Sequence, residues 1–410
     1  MQCGLLGRTL SHSYSPKIHK LLGDYPYSLY EVAPEELKDF LNNEPFTGVN
    51  VTMPYKKDVI PYCDELSPAA KLLGAVNTVV RQGNGKLIGH NTDYFGFRSM
   101  VERSGLEVKN KKVLVLGSGG ASATVVAVLN KLGANVVIIS RSGKNNYNNL
   151  ELHTDAQLIV NATPVGMYPN VGVSPVDLSR FPRLEGVLDI IYNPCRTELL
   201  MQAEKLGIVA VNGLWMLVAQ AKESAQWFTG KEIPDSAIGE IYEKLQNDTE
   251  NLVLIGMPGC GKSTVGALLA EKTGKRFVDT DKVIEETAGM SIPEIFATFG
   301  EEHFRKLEAD VLRRLGMESG LVIATGGGCV TLPENYPALH QNGTIIWLKR
   351  EIHKLPVTGR PLSHKDSLQK MYTRREPLYQ AFADMVVDNN GCPDDAAAQI
   401  LSALDKGDVL

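Results

Sequence analysis

A glycine-rich segment at residues 256–263 combines a lysine and a hydroxyl in a spacing that suits phosphate binding. It reads GMPGCGKS, matches the pattern GxxxxGK[ST], and lies between an apolar strand pattern and a helical one. Glycines let backbone N–H groups converge on phosphate oxygens, Lys262 adds positive charge, and the Ser263 hydroxyl suits Mg²⁺. The alternative is an ordinary glycine-rich turn. In this context we predict a nucleotide-binding loop formed by Gly256, Gly259, Cys260, Gly261, Lys262, Ser263 and Thr264.

Two carboxylates follow the next strand pattern, in the sequence FVDTD at 277–281. We expect this segment to end the strand with Asp279 and Asp281 two positions apart, so that both side chains point to one face. Four further motifs follow in order, namely GEEHFRKLE at 300–308, ATGGGCV at 324–330, GRPL at 359–362 and RREPLY at 374–379. Taken singly, any arginine or aspartate among them could equally form a surface ion pair.

Together with the phosphate loop, these five motifs resemble the shikimate kinase family over about 250–405. The resemblance implies that Asp279 and Ser263 hold Mg²⁺ and that Asp281 contacts the shikimate hydroxyls and assists deprotonation. Arginines suit paired hydrogen bonds to a carboxylate. The remaining implied roles are carboxylate binding by Arg305 and Arg375, close backbone approach at Gly326, Gly327 and Gly328, and stabilisation of the transferring phosphoryl group by Arg360 in a mobile lid.

A second glycine-rich turn, VLVLGSGGAS at 113–122, connects another strand pattern to a helix pattern. Read against GxGxxG it has Gly117 and Gly119 but Ser122 as the third residue, so it also fits an ordinary helix-packing turn. The next strand ends in Ser-Arg-Ser at 140–142, where NAD-binding folds usually carry an acidic residue. A cation with two hydroxyls favours the 2′-phosphate of NADP.

Seven motifs surround this turn. SHSYSP at 11–16, NVTMPYKK at 50–57, GAVNTV at 74–79 and HNTDYFGF at 90–97 precede it; NATPVGM at 161–167, YNPCRTELL at 192–200 and NGLWMLVAQA at 212–221 follow. The series closely resembles the shikimate dehydrogenase family across roughly 1–240. This resemblance implies NADP(H) binding by Gly117, Ser118, Gly119, Gly120, Ala121, Ser140, Arg141, Ser142, Asn161, Thr163, Gly213 and Met216.

Lys56 and Asp93 are the expected acid–base pair of this part of the chain. Reducing a ring ketone needs a hydride donor on one face and a proton source at the oxygen. A lysine held by a carboxylate can supply that proton, although a buried structural ion pair is the alternative. The resemblance implies that Ser13 and Ser15 bind the substrate carboxylate, that Thr52, Asn77 and Gln220 bind its hydroxyls, and that Tyr192 and Met216 line the site. For the hydroxyl and amide side chains, the alternative is that they form hydrogen bonds within turns or strands.

Composition limits the class of protein. The chain has 410 residues, 43% hydrophobic and 22% charged, with a net charge of -5, which argues against nucleic acid or an anionic membrane as the main partner. Six scattered cysteines form no CxxC pair, as expected for reduced thiols. We see no signal-peptide pattern and no apolar run long enough to span a membrane. A cytoplasmic enzyme acting on small molecules is therefore expected.

Alternating strand and helix patterns must position these groups, and they predict an α/β fold. We expect buried strands at 111–117, 135–140 and 252–256, and helices at 121–133 and 264–274. The predicted domains are a dehydrogenase-type substrate domain at 1–97 completed by 213–246, an NADP-binding Rossmann domain at 98–212, a linker at 247–251, and a P-loop kinase domain with a parallel sheet at 252–410.

Both resemblances together imply a bifunctional enzyme of aromatic amino acid biosynthesis. It would reduce 3-dehydroshikimate to shikimate with NADPH and then phosphorylate shikimate to 3-phosphoshikimate with ATP. Two alternatives stay open: the first part could prefer quinate and NAD, or one part could be a silent ligand-binding regulator of the other. Arg141 argues against NAD, and the presence of Lys56, Asp93, Lys262 and Asp281 argues against a silent part.

Overall fold

The computed structural model of the chain describes residues 1–10, 13–355 and 365–406. They form three β-sheets flanked by helices. The chain divides into two compact units: the first comprises Met1–Met167, Val173–Tyr192 and Leu199–Lys244, and the second comprises Tyr168–Gly172, Asn193–Glu198 and Leu245–Leu410.

The first unit opens with a mixed six-stranded sheet in the order β2-β1-β3-β5-β6-β4. Strand β1 is parallel to β2 and β3, whereas β5 is antiparallel to β3 and β6. The strands are β1 (Cys3–Gly7), β2 (Tyr27–Glu31), β3 (Gly48–Val51), β4 (Glu65–Leu66), β5 (Thr78–Arg81) and β6 (Leu87–His90), and the helices are α1 (Ser15–Leu22), α2 (Leu37–Asn43), α3 (Pro68–Leu73) and α4 (Asp93–Ser104).

The second sheet is fully parallel, in the order β11-β10-β9-β7-β8. Its strands are β7 (Lys112–Leu116), β8 (Asn135–Ile139), β9 (Leu158–Asn161), β10 (Gly186–Asp189) and β11 (Val209–Val211), with helices α5 (Gly120–Lys131) and α6 (Glu198–Lys205). Helix α7 (Leu214–Thr229) returns to the first sheet, where it packs against α1, α4, β3 and β5, and α8 (Ser236–Thr249) follows it. Strand β7 is buried as predicted, but β8 is the edge strand and is partly exposed. The strand predicted at 135–140 is present, but the expectation that it is buried was wrong, because a mostly apolar run does not distinguish a central strand from an edge strand.

The third sheet, in the second unit, is also parallel, in the order β13-β14-β12-β15-β16. It contains β12 (Asn251–Ile255), β13 (Arg276–Asp279), β14 (Leu321–Ala324), β15 (Gly343–Lys349) and β16 (Met385–Asp388), with α9 (Lys262–Thr273), α10 (Thr280–Ala288), α11 (Ile292–Met317, interrupted at Gly300), α12 (Asn335–His340), α13 (Lys365–Phe382) and α14 (Pro393–Lys406). Helices cover both faces of such sheets, so the central strand β12 is completely buried.

The predicted α/β class is confirmed, as is the parallel sheet predicted within 252–410. The predicted linker at 247–251 is not an extended segment: α8 continues to Thr249 and β12 begins at Asn251. Polar residues on the exposed side of a helix end resemble a linker in sequence. Within the described residues, no helix combines the length and apolarity needed to cross a membrane.

Candidate active sites

The first candidate site is built around an ion pair between Lys56 and Asp93. The Nζ atom of Lys56 lies 2.7 Å from Oδ2 of Asp93, and their side chains are 34% and 17% exposed. Lys56 follows β3, while Asp93 is the first residue of α4, where the helix dipole stabilises a negative charge. The lysine is therefore held by its carboxylate partner and still reachable by a bound molecule.

A cavity of about 260 Å³ lies beside this pair. The structure brings many of the sequence-predicted residues to its wall, although their roles stay predictions: Ser13, Ser15, Thr52, Lys56, Asn77, Asp93, Ala121, Tyr192, Gly213, Met216 and Gln220. Sequence reasoning missed Leu5, Asn50, Val51, Ile190 and Leu217, which also line it. Asn50 lies inside the NVTMPYKK motif, so its motif position was the available signal.

Close helix packing positions one wall of the cavity. A Cβ atom on Gly213 would lie 2.1 Å from the carbonyl oxygen of Ile190, so only glycine lets α7 begin this close to the end of β10. A Cβ atom on Gly96 of α4 would likewise lie 2.7 Å from the carbonyl oxygen of Met216. Because α4 and α7 touch here, Met216 and Gln220 are set close to the start of α4, where Asp93 stands.

Residues with hydroxyl groups also line the cavity, among them Ser13, Ser15 and Tyr192. The Ser13 Oγ atom accepts a hydrogen bond of 3.2 Å from the backbone N–H of Ser15, at the start of α1. The ring of Tyr14 packs on that of Tyr192 with centroids 5.5 Å apart. Burial raises the pKa of Tyr192, whose phenol is in any case neutral near pH 7. The wall therefore offers neutral polar groups around a single lysine–aspartate pair.

The glycine-rich turn at 117–122 follows β7, beside the neighbouring strand β9. Gly117 has φ +105°, and a Cβ atom there would lie 2.9 Å from the Ala162 carbonyl oxygen. The Ser122 hydroxyl donates to the Gly117 carbonyl at 2.8 Å, so the residue that replaces the third glycine closes the turn. Open space surrounds Gly119 and Gly120. The turn lies at the topological switch point between β7 and β9, where α/β folds bind dinucleotides.

The remaining predicted coenzyme residues do not line the cavity. Ser140 is buried, whereas Arg141 and Ser142, which follow β8, are exposed. Asn161 is completely buried: its Nδ2 donates to Asp189 at 3.1 Å, and its Oδ1 accepts from the N–H and hydroxyl of Thr163 at 3.0 and 2.7 Å. Since that amide is already used within the protein, Asn161 holds the loop after β9. Coenzyme binding by these residues stays a prediction.

The second candidate site, in the second unit, is the loop between β12 and α9. Gly256, Gly259 and Gly261 have φ of +142°, +80° and +100°, which side-chain-bearing residues rarely adopt. Lys262 is buried, and its Nζ donates to the carbonyl oxygens of Gly256 and Met257 at 2.9 and 3.1 Å. The lysine therefore lies inside the loop, where it can meet a phosphate.

The two carboxylates after β13 lie on different elements. Asp279 ends β13 and caps α10, because its Oδ1 accepts from the Asp281 N–H at 3.1 Å. Its Oδ2 accepts from the Ser263 hydroxyl at 2.7 Å. Asp281 lies in the first turn of α10, so the expectation that both side chains share one face of a strand was wrong. Helix formation at Thr280 replaces strand alternation by a helical turn.

Three glycines after β14 bring charged side chains together. A Cβ atom on Gly326 would lie 2.9 Å from Oδ1 of Asp281, and one on Gly328 would lie 2.3 Å from Nη1 of Arg305. Between them, a Cβ atom on Gly327 would lie 2.6 Å from Pro258 of the phosphate loop. The glycines thus let the backbone pass beside the loop, Asp281 and Arg305.

Both predicted substrate arginines are fixed in this region. Arg305 contacts Glu308 at 2.7 Å and Glu301 at 3.1 Å, and the buried Arg375 donates to the Gly327 carbonyl at 3.0 Å. Burial raises the pKa of Glu308, which is 1% exposed, against the opposing effect of Arg305. Sequence reasoning did not single out Glu308, although it ends the GEEHFRKLE motif. Arg360 lies outside the described residues.

Comparisons with known protein families agree with two separate parts. The model of the shikimate dehydrogenase substrate binding domain matches residues 5–79. The model of shikimate kinase matches residues 258–405, which include the phosphate loop from Pro258 onward and both arginines.

Among curated proteins, the chain is 37% identical over 285 residues to a shikimate dehydrogenase (NADP(+)) of Caldicellulosiruptor bescii. The matched region covers 62% of this chain and 96% of that protein. A similar solved structure is a chorismate mutase/shikimate 5-dehydrogenase fusion protein from Clostridium acetobutylicum, with a TM-score of 0.57 and 37% identity over 60% of this chain and 97% of that one. Another is a Thermus thermophilus shikimate 5-dehydrogenase in complex with NADP(H) and shikimate, with a TM-score of 0.54 and 31% identity over 60% of this chain and 99% of that one. The chain therefore belongs to the shikimate dehydrogenase family of oxidoreductases and carries a shikimate kinase domain after its dehydrogenase part.

Proposed function

We propose that the chain catalyses two successive reactions. Residues 1–246, the dehydrogenase module, reduce 3-dehydroshikimate to shikimate with NADPH. Residues 252–410, the kinase module, transfer the γ-phosphoryl group of ATP to shikimate and give 3-phosphoshikimate. Within the first module, we assign substrate binding to 1–97 with 213–246 and coenzyme binding to 98–212. The product of the first reaction is the substrate of the second, which gives a chemical reason for joining the two modules.

The Lys56–Asp93 pair in its cavity carries the first half of this proposal. Bound NADPH supplies the hydride. The ammonium group of Lys56 donates the proton to the carbonyl oxygen, and Asp93, at 2.7 Å, orients that group. Ser13, Ser15 and Asn77 add neutral polar groups that can bind a carboxylate and ring hydroxyls. A polyhydroxylated acid fits this wall better than an apolar ketone does.

The phosphate loop and its neighbours support the second half. Ser263 Oγ and Asp279 Oδ2 lie 2.7 Å apart, and oxygen donors of this kind suit Mg²⁺, which would neutralise charge on the phosphates. Lys262 in the loop adds a fixed positive charge. We assign to Asp281, next to Gly326, the role of accepting the proton of an attacking hydroxyl. Arg305 and Arg375, which lie beside Gly328 and Gly327, are assigned to the acceptor's carboxylate.

A coupled assay tests the proposal directly. The protein is supplied with 3-dehydroshikimate, NADPH and MgATP, and both NADPH oxidation and the phosphorylated product are followed. We expect NADPH loss without ATP and the phosphorylated product only when ATP is present. If quinate supported faster turnover than shikimate in the reverse direction, the substrate assignment would change; if one activity were missing while its ligand still bound, that module would be a regulator.

Arg141 is expected to select the coenzyme. Its side chain is exposed at the end of β8 and makes no ion pair with any residue that the structure describes. Arg141→Ala should therefore lower kcat/KM for NADPH by about tenfold or more, the usual scale for a charge-assisted hydrogen bond, while kcat/KM for NADH changes little. Lys144→Ala, which removes an exposed cation from the same loop, should leave the NADPH preference unchanged. Equal losses for both coenzymes in Arg141→Ala would remove Arg141 from the 2′-phosphate role.

A further inference from the structure

A layer of buried polar side chains lies directly behind the dehydrogenase cavity. We call Asn50, Thr78, Thr92 and Ser224 the polar layer; they are between 0% and 6% exposed. They come from β3, β5, the residue before α4, and α7. Buried polar groups cost stability unless they are hydrogen-bonded, so four of them in contact need an explanation. Asn50 also lines the cavity, and Asn77 and Gln220 connect the layer to it.

The hydrogen bonds of Ser224 determine which atoms of the polar layer donate and which accept. Its hydroxyl donates to the Gln220 carbonyl four residues earlier at 2.9 Å, so its only hydrogen is used. Ser224 Oγ can therefore only accept, and it has two lone pairs. Asn50 Nδ2 donates to it at 2.8 Å, so at most one of the hydroxyls of Thr78 and Thr92, which both lie at 3.0 Å, donates to it as well. Each threonine hydroxyl in turn has only one hydrogen to give.

The hydrogen bonds around Asn77 determine which atom of its side-chain amide, Oδ1 or Nδ2, faces the polar layer. A backbone N–H can only donate, and that of Thr92 points at Asn77 Oδ1 at 2.7 Å, so this atom is the oxygen. The hydroxyls of Thr78 and Thr92 lie 3.1 and 3.2 Å from the same oxygen, and the one that does not donate to Ser224 can donate to it. Asn77 Nδ2 gives one hydrogen to Thr92 Oγ1 at 3.0 Å, which leaves one N–H for a molecule in the cavity.

We propose that Thr78 and Ser224 are positioning residues that hold Asn77 as a hydrogen-bond donor toward the substrate. Neither residue lines the cavity, and both act through Asn77 and Thr92. The substrate atom opposite Asn77 is then one that accepts a hydrogen bond, such as a hydroxyl or carbonyl oxygen, and a donor-only group such as an ammonium is rejected there. This inference rests on the proposed dehydrogenase function, because it explains how that site orients its substrate.

Two substitutions at Thr78 separate positioning from packing. Thr78→Val keeps the shape and removes the hydroxyl, whereas Thr78→Ser keeps the hydroxyl and removes a buried methyl group. Kinetic constants and the melting temperature are measured for both. We expect Thr78→Val to raise KM for 3-dehydroshikimate about tenfold, with KM for NADPH and the kinase rate within about twofold of the parent. Thr78→Ser should keep KM within about threefold although its lost methyl group lowers the melting temperature.

Ser224 offers a matched control on its own helix. The hydroxyl of Thr229 also donates to the carbonyl four residues earlier, that of Ala225 at 2.8 Å, but it does not touch the layer. Ser224→Ala should raise KM for 3-dehydroshikimate about tenfold, and Thr229→Ala should leave it unchanged. Because the two variants lose the same type of helix bond, a loss common to both cannot come from positioning.

The outcomes are distinct. Equal KM effects in Thr78→Val and Thr78→Ser, or in Ser224→Ala and Thr229→Ala, would overturn the positioning role. If Thr78→Val does not fold, the Ser224→Ala and Thr229→Ala pair decides alone. Absence of 3-dehydroshikimate reduction by the parent protein would overturn the proposed function instead, so the two failures are distinguishable.

Discussion

Lys56→Ala is expected to lower the rate of 3-dehydroshikimate reduction roughly 10²-fold or more, the usual scale for a lost general acid. Alanine removes the proton donor and leaves Asp93 without the ammonium group that lies 2.7 Å away. Phosphorylation of supplied shikimate should stay within about twofold of the parent, since the kinase residues come from a separate sheet. The measurements are NADPH oxidation and ADP formation, each with its own substrate, on the same preparation.

The neighbouring residue provides a control for this experiment. Lys57 is exposed, so Lys57→Ala removes the same charge without touching Asp93 and should retain reduction. Lys262→Ala should show the converse pattern, with phosphorylation lost and reduction retained, because it removes the lysine ammonium group from the phosphate loop. Loss of both activities in either lysine variant, with an unchanged melting temperature, would contradict two independent sites.

The glycine-rich loops could be predicted because each depends on residues within one short motif, whereas the ion pair needed more than local sequence. Lys56 and Asp93 belong to separate motifs, and only the resemblance to a family connected them before the structure showed the 2.7 Å contact. The phosphate loop needs its glycines for local reasons, since positive φ at Gly256 and Gly261 depends on the backbone alone. Local chemistry of this kind is visible in one sequence.

Features that depend on distant packing could not be predicted in the same way. Ser224 contacts Asn50 across 174 residues of sequence, and a serine on a helix has no distinctive pattern. The exposure of β8 depends on which strand lies at the sheet edge, which its run of apolar residues does not specify. Asp281 was placed on a strand because alternation alone does not show where α10 begins.

Asp279 and Asp281 are expected to differ in their response to Mg²⁺. Asp279 Oδ2 contacts the Ser263 hydroxyl of the phosphate loop at 2.7 Å, whereas the carboxylate of Asp281, like that of Glu308, lies beside Gly326. Asp279→Asn keeps the oxygen that caps α10 but removes a charge that would attract the metal. Its kinase activity should therefore fall at low Mg²⁺ and recover partly as Mg²⁺ is raised.

Asp281→Asn should lose about 10²-fold or more in phosphorylation rate at every Mg²⁺ concentration, because an amide cannot accept the proton of the attacking hydroxyl. KM for ATP should stay near the parent value, since the phosphate loop is intact, while KM for shikimate rises or kcat falls. Asp310→Asn, which alters an exposed carboxylate paired with Arg313 on α11, controls for the change in net charge and should be neutral. Both aspartate variants are assayed across the same Mg²⁺ titration. Recovery of Asp281→Asn with Mg²⁺, and none for Asp279→Asn, would mean that the two carboxylates have the opposite roles.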